Sequence, residues 1–131
     1  MGPEKIAKIA VAALEDIKGR DIVAFNVKKM TALFDKVIIA SGDSNRQVRA
    51  LANNVCEEIK KAGGRVSSTE GGQTGEWVLV DLGAVVVHVM QPAIRQYYNL
   101  EEIWGAQSRP RLRKTAARKS VARKSAGRAA V

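Results

Sequence analysis

Three features of the sequence predict an α/β (α+β) fold, a β-sheet with flanking helices. Trp77–Met90, WVLVDLGAVVVHVM, is two runs rich in β-branched residues interrupted at Asp81-Leu82-Gly83-Ala84, the pattern of a β-hairpin. Lys36–Ser41, KVIIAS, is a continuous apolar run of strand length, as expected of a strand buried on both faces. Two further stretches repeat apolar residues at spacings of three and four, which marks amphipathic helices.

The first of these helices opens at Pro3, whose fixed φ suits a first helical turn. Ile6, Ile9, Ala10, Ala13, Leu14 and Ile17 line one side of it, and Gly19 is expected to end it. Asp21–Val27, DIVAFNV, alternates and reads as a strand. The connection Lys28–Asp35 carries Met30, Leu33 and Phe34, apolar enough to fold back on the sheet. After KVIIAS, Ser41-Gly42-Asp43-Ser44-Asn45 is a turn into the second helix, with Ser44 and Gln47 spaced as a capping box. Val48, Leu51, Ala52, Val55, Cys56 and Ile59 form its apolar stripe to about Ala62, where Gly63-Gly64 stops it. Cys56 on that stripe is a buried small hydrophobe by expectation. Arg65–Ser68 reads as a short edge strand and Thr69–Gly75, with three glycines, as a loop. Gln91-Pro92 opens a short helix with Ile94, Tyr97 and Tyr98. Asn99 with Glu102 repeats the capping pattern for a last turn carrying Leu100, Ile103 and Trp104.

A two-residue turn at Leu82-Gly83 would pair Asp81 with Ala84, Val80 with Val85, Leu79 with Val86, Val78 with Val87 and Trp77 with His88. One face of the hairpin then carries Val78, Val80, Val85, Val87 and Val89 and nothing polar, as helix-covered sheet faces do. The other mixes Trp77, Leu79, Asp81, Ala84, Val86, His88 and Met90, so it is either covered by a partly polar element or used for binding.

The charge of +9 is unevenly placed. Residues 1–105 hold 13 Lys/Arg against 13 Asp/Glu, and residues 106–131 hold nine cations and no acid. The chain therefore divides into a core of about 1–105 and a basic tail, 106–131, in which Ala-Arg-Lys-Ser occurs at 117–120 and again at 122–125. With no apolar period to bury, the tail is expected to be disordered in isolation. Its cations, Arg109, Arg111, Arg113, Lys114, Arg118, Lys119, Arg123, Lys124 and Arg128, suit salt-sensitive contact with RNA phosphates, without an aromatic to stack on bases. One cysteine excludes an internal disulfide and a cysteine-rich zinc site. No apolar run is long enough for a membrane span, and the cytoplasm is the expected compartment.

Catalysis finds few groups. His88, the chain's single histidine, has no nucleophile marked by a motif. The Gly42-Asp43-Ser44 turn after a buried strand is similar to the phosphate-cradling turn of nucleotidyltransferases. That chemistry also needs two or three carboxylates on adjacent strands to hold metal ions, and Asp81 is flanked on its own face by Leu79 and Gly83. Walker, Rossmann and His/Cys ligand patterns are all missing. The residues thus point away from an enzyme and to no cofactor or metal. The two tryptophans and two tyrosines all fall between 77 and 104. With carboxylates close by, they suit a protein partner that presents Lys or Arg. A second small core beneath the helix that starts at Pro92 accounts for the same residues equally well.

The run Trp77-Val-Leu-Val-Asp81-Leu-Gly83, then Val-His88-Val-Met90, then Tyr98-Asn-Leu100-Glu101 and Trp104, resembles the Iojap family, the ribosomal silencing factor S proteins of bacteria and organelles. The likeness extends over residues 4–105 and leaves out the tail. It implies a nucleotidyltransferase-like mixed sheet without known transferase activity. It further implies a translational repressor that binds protein fourteen of the large ribosomal subunit and sterically prevents the small subunit from joining when nutrients are scarce. Carried onto this chain, Trp77, His88, Met90, Tyr98, Leu100 and Trp104 become apolar and stacking contacts, and Asp81 and Glu101 meet cations of the partner. The exposed aromatic face is also suited to pairing with a second copy, so a homodimer of the free chain is open.

Overall fold

A computed structural model of the chain describes the backbone of residues 1–98 and the side chains of residues 1–96. The elements run α1 (Pro3–Asp16), β1 (Arg20–Asn26), β2 (Lys36–Ser41), α2 (Asn45–Lys61), β3 (Ser68–Glu70), β4 (Trp77–Asp81), β5 (Val85–Met90) and α3 (Pro92–Tyr98). The strands form one mixed sheet in the order β1-β2-β5-β4-β3. Only β2 and β5 are parallel; the other neighbours are antiparallel.

Burial explains the order. All six residues of β2 are buried, so the strand must be paired on both edges and covered on both faces. Helices α1 and α2 cover one face, closing a core that includes Ala10, Leu14, Ile38, Leu51, Val55, Val80 and Val87. They pack antiparallel. The Gln47 amide donates to the Ile17 carbonyl at 3.1 Å, and the Asn54 amide donates to the Ala13 carbonyl at 2.8 Å. Both bonds satisfy carbonyls that the end of α1 leaves without helical partners. The second face of the sheet carries a smaller cluster of Val23, Phe25, Val27, Val37, Ile39 and Met90. Met30 and Phe34 of the β1–β2 connection and Ile94 of α3 cover it, and Trp77 of β4 packs against it. Leu33, expected to fold back with them, instead points outward and is 82% exposed. Lys36, at the start of β2, is buried on the helix side of the sheet, where its ammonium meets Glu4 of α1 at 3.2 Å.

The second helix starts as its sequence indicates. Ser44 Oγ accepts from the Gln47 N–H at 3.0 Å, while Gln47 Oε1 accepts from the Asp43 N–H at 2.7 Å rather than from Ser44 itself. The first helix ends at Asp16, earlier than expected, and the left-handed residue after it is Lys18 (φ +63°) rather than Gly19. The edge strand lies at 68–70, not at 65–68, so Thr69 and Glu70 belong to the sheet and not to the glycine loop.

The hairpin register is two residues away from the one expected. Trp77 pairs with Met90, Val78 with Val89, Leu79 with His88, Val80 with Val87 and Asp81 with Val86. The central turn residues are Gly83 and Ala84, closed by the Leu82 N–H donating to the Val85 carbonyl at 2.9 Å. Leu82 explains the choice. Outside the turn it continues the inward series of Val78 and Val80 and is buried beneath the helices; within the turn it would be exposed. Gly83, first of the two turn residues, has φ +88°, as a mirror-image hairpin turn requires. Because the shift is even, every side chain that is in a strand under both registers keeps the face it was expected to have, while Ala84 leaves the second face for the turn.

Gly71 has nearly the same backbone angle, φ +87°, in different surroundings. A Cβ there would lie 2.0 Å from the Trp77 carbonyl oxygen, whereas a Cβ at Gly83 meets nothing within 4 Å. Gly83→Ala should therefore cost about 1–2 kcal/mol, the left-handed penalty alone. Gly71→Ala should cost roughly 2 kcal/mol more, because backbone has to move. Urea unfolding of the two variants measures the difference, and equal losses would contradict the close approach of residue 71 to β4.

Candidate partner-docking face

The second face of the sheet is covered unevenly, and this creates the candidate site. The 28–35 connection and α3 lie over the smaller cluster formed by β1, β2 and Met90. Towards β4 and β3 no described element covers the face. The burial of β4 alternates, with Val78 and Val80 enclosed and Trp77, Leu79 and Asp81 half-exposed. The β3–β4 register places Glu70 opposite Leu79 and Ser68 opposite Asp81, so two of the three exposed β3 residues share this face. The outcome is an apolar strip, Trp77 and Leu79 with His88, bordered by the carboxylates of Asp81 and Glu70. Glu76, exposed, precedes Trp77.

Trp77 and His88 act as a pair, though they are diagonal rather than opposite. The indole N–H donates to His88 Nδ1 at 3.0 Å, with ring centroids 5.8 Å apart and planes tilted by 47°. An indole N–H can only donate, so Nδ1 must be unprotonated and the ring proton sits on Nε2. Burial between Leu79 on β4 and Ile39 on β2 lowers the imidazole's pKa from 6.5 to about 4. His88 therefore enters the face as a neutral ring, and its bond to Trp77 fixes the orientation of the indole.

Asp81 serves the turn. Its Oδ1 accepts from the Gly83 N–H at 2.8 Å, a side chain-to-backbone bond that supports the reversal. The phosphate-like turn after β2 is similarly occupied by its own chain. The Asp43 N–H donates to Gln47, Ser44 Oγ caps α2, and the Asp43 carboxylate pairs with Arg20 at 2.6 Å. An anion there would have to displace these partners and approach the Asp43 carboxylate. Among the described residues no three His, Cys, Asp or Glu side chains converge as metal ligands. Cys56 is half-buried and packed against the main core, and burial raises its thiol pKa.

Of the residues expected at the site, Trp77, Asp81 and His88 come together on the open part of the face. Met90 shares their face but is completely enclosed in the smaller cluster, so it supports the surface from beneath and is corrected from contact residue to core. The side chain of Tyr98, together with Leu100, Glu101, Trp104 and the nine tail cations, lies outside the described residues. Glu70 is a member of the face that the sequence did not indicate, whereas Leu79 was expected on the face but not among the partner contacts. Glu70 was hidden because a three-residue exposed strand has no burial period from which to place it.

A model of the family described as ribosomal silencing factor during starvation matches residues 2–130 of this chain. The chain belongs to the ribosomal silencing factor family. The ribosomal silencing factor of Chromobacterium violaceum is 56% identical over 104 residues, which is 79% of this chain and 85% of that protein. A crystal structure of a protein from the same organism superimposes with a TM-score of 0.79 at 55% identity, covering 80% of this chain and 88% of the other. A mouse protein named for mitochondrial assembly of the large ribosomal subunit is 31% identical over 101 residues, 75% of this chain and 44% of its own length. The mixed α/β architecture of this chain is thus shared with a solved structure at 55% identity. The family match reaches into the basic tail, past the 4–105 anticipated from motifs, whereas the Chromobacterium alignment covers 104 residues.

Because the chain holds a single histidine, its titration can be followed without assignment ambiguity. His88 should titrate near pH 4 by NMR and keep the Nε2–H tautomer at neutral pH. As pH falls below 6.5 the unfolded chain takes up a proton that the folded chain refuses, so stability should decline down to about pH 4 and then level off with respect to this group. The loss is on the order of 3 kcal/mol. A His88→Leu variant should lack this part of the slope; an unchanged slope would locate the acid sensitivity elsewhere.

Proposed function

We propose that this protein represses translation sterically in the bacterial cytoplasm. It docks on the large ribosomal subunit through that subunit's protein fourteen, and the bound protein prevents the small subunit from joining when nutrients are limiting. No turnover is involved. The observation that carries this reading is the half-open sheet face, where a hydrogen-bonded Trp77–His88 pair lies beside the carboxylates of Asp81 and Glu70. A rigid aromatic supplies contact area at small entropic cost, and the acids favour a partner rich in Lys or Arg. Membership of the family supports the silencing role, and the name of the mouse relative supports the large subunit as the target.

Trp77, Asp81 and His88 form the strand half of the proposed interface, and Tyr98, Leu100, Glu101 and Trp104 its C-terminal half. The tail cations between Arg109 and Arg128 add attraction to ribosomal RNA near the docking point. They speed encounter without selecting the site.

Co-sedimentation with purified large and small subunits across a salt series tests the reading. The full chain and residues 1–105 should both bind large subunits selectively at moderate salt, with the shorter chain showing the shallower salt dependence. Trp104→Ala should weaken docking by about 2 kcal/mol or more, roughly 30-fold. Asp81→Asn keeps an acceptor for the Gly83 N–H while removing the charge, and should cost at least about 1 kcal/mol. Binding to both subunits that vanishes with the tail would make the chain a nonspecific polyanion binder instead.

A further inference from the structure

We infer that Arg49 and Gly75 are positioning residues for partner docking: they clasp the 71–76 loop against the start of α2 and so fix where Glu76 stands beside Trp77. This rests on the proposed docking function. The loop, Gly-Gly-Gln-Thr-Gly-Glu, holds three glycines in six residues, a composition that loses much conformational entropy on ordering. Five of the six residues are exposed, so apolar burial does little to hold it. Gly75 is the exception. It is buried, has φ +77°, and donates its N–H to the Gly71 carbonyl at 3.1 Å. A Cβ there would lie 2.6 Å from Arg49 Nη1 and 2.8 Å from the Asn45 carbonyl oxygen, so only glycine lets the loop come this near to α2. Arg49, one turn into that helix, closes the clasp by donating from Nη1 to the Thr74 carbonyl at 3.2 Å. Among the described residues its guanidinium joins no ion pair.

The clasp matters because of what adjoins it. Glu76 directly follows Gly75, and its carbonyl accepts from the Gln91 N–H at 3.1 Å where the chain enters β4. At the other end of the loop, Gly71 lies against the Trp77 carbonyl. Both ends of the loop therefore close on the tryptophan of the docking face. Glu70 and Glu76, at these two ends, are exposed, and neither takes part in an ion pair among the described residues. A cation of the partner can meet them. A carboxylate already fixed in place loses less freedom on binding than one carried by an untethered glycine loop, so the clasp contributes preorganisation.

The test is a double-mutant cycle on large-subunit binding by the full chain at low salt. Glu76→Gln removes the charge and should weaken binding about fivefold in the parent. In a Gly75→Ala background, which alters no charge, the same substitution should cost less than about twofold, because coupled contacts do not add. Arg49→Met is the second background in case Gly75→Ala does not fold, and it should suppress the Glu76→Gln effect in the same way. Circular dichroism with urea unfolding checks that each variant is native. Asp81→Asn, roughly 13 Å further along β4, should cost the same in every background. A general loss of stability would not separate the two carboxylates in this manner. A Glu76→Gln loss as large in both backgrounds, or none in the parent while Asp81→Asn still weakens docking, would overturn the positioning role and leave the docking reading standing. Glu76→Gln and Asp81→Asn variants that both bind as the parent does would overturn the docking reading, and this inference with it.

Discussion

Strand β2 is buried along its whole length, and the other elements are placed by what that burial demands. A strand with no exposed residue needs hydrogen-bonding neighbours on both edges, since an unpaired buried backbone group costs as much as a lost hydrogen bond. It also needs apolar cover on both faces. Strands β1 and β5 supply the edges, antiparallel and parallel respectively. Helices α1 and α2 supply the cover on one face, and the 28–35 connection with α3 supplies it on the other. The parallel partner cannot follow directly in sequence, because a parallel pair needs a crossover. Here α2, β3 and β4 lie between β2 and β5, so the parallel pair in the middle of the sheet leaves β4 and β3 at its outer edge.

Cover is then distributed by length. Two helices of 14 and 17 residues suffice to close their face from β1 to β4. Among the described residues the opposite face has only a short connection and a seven-residue helix, both gathered over the cluster that contains Phe25, Val37, Ile39 and Met90. The exposed remainder falls on β4 and β3. Trp77, Leu79 and Asp81 stay half-buried and Glu70 exposed because no described element extends over them, while Met90 on the same face is enclosed. The same side-chain series can thus be part core and part surface, which is why a periodicity argument divides evenly between the two.

What was legible in the sequence follows from where burial leaves a period. KVIIAS announces its own enclosure, and the stripes of α1 and α2 announce the helix layer. The separation of Val78, Val80, Val85, Val87 and Val89 from Trp77, Asp81, His88 and Met90 survives even a wrong turn placement, because an even register shift does not exchange the faces. The turn itself was misplaced since Gly83 serves either a Leu82-Gly83 or a Gly83-Ala84 reversal. Burial of Leu82 beneath the helices decides between them, and that is a tertiary fact. Strand β3 was misplaced by three residues because STE is exposed throughout and pairs by backbone alone. The bond from Arg49 to the Thr74 carbonyl was invisible for a related reason. Residues separated by 25 positions meet only once β2 and β4 have taken their places in the sheet.

The electrostatic character of the open face depends on a histidine that stays uncharged. Asp81 and Glu70 can favour a cationic partner only while nothing on the same strip offsets them, and an imidazolium at His88 would do so at close range. Two features of the sheet oppose that charge. The ring is buried between Leu79 and Ile39, which penalises the charged form. Its Nδ1 also accepts the Trp77 indole N–H, and a proton on that nitrogen would place two donors against each other. The bond that orients the tryptophan therefore also preserves the sign of the face. A residue that in isolation suggests acid–base catalysis is better understood as a neutral acceptor. Its exchange for a carbon ring of similar size should disturb the tryptophan's orientation more than the charge of the surface.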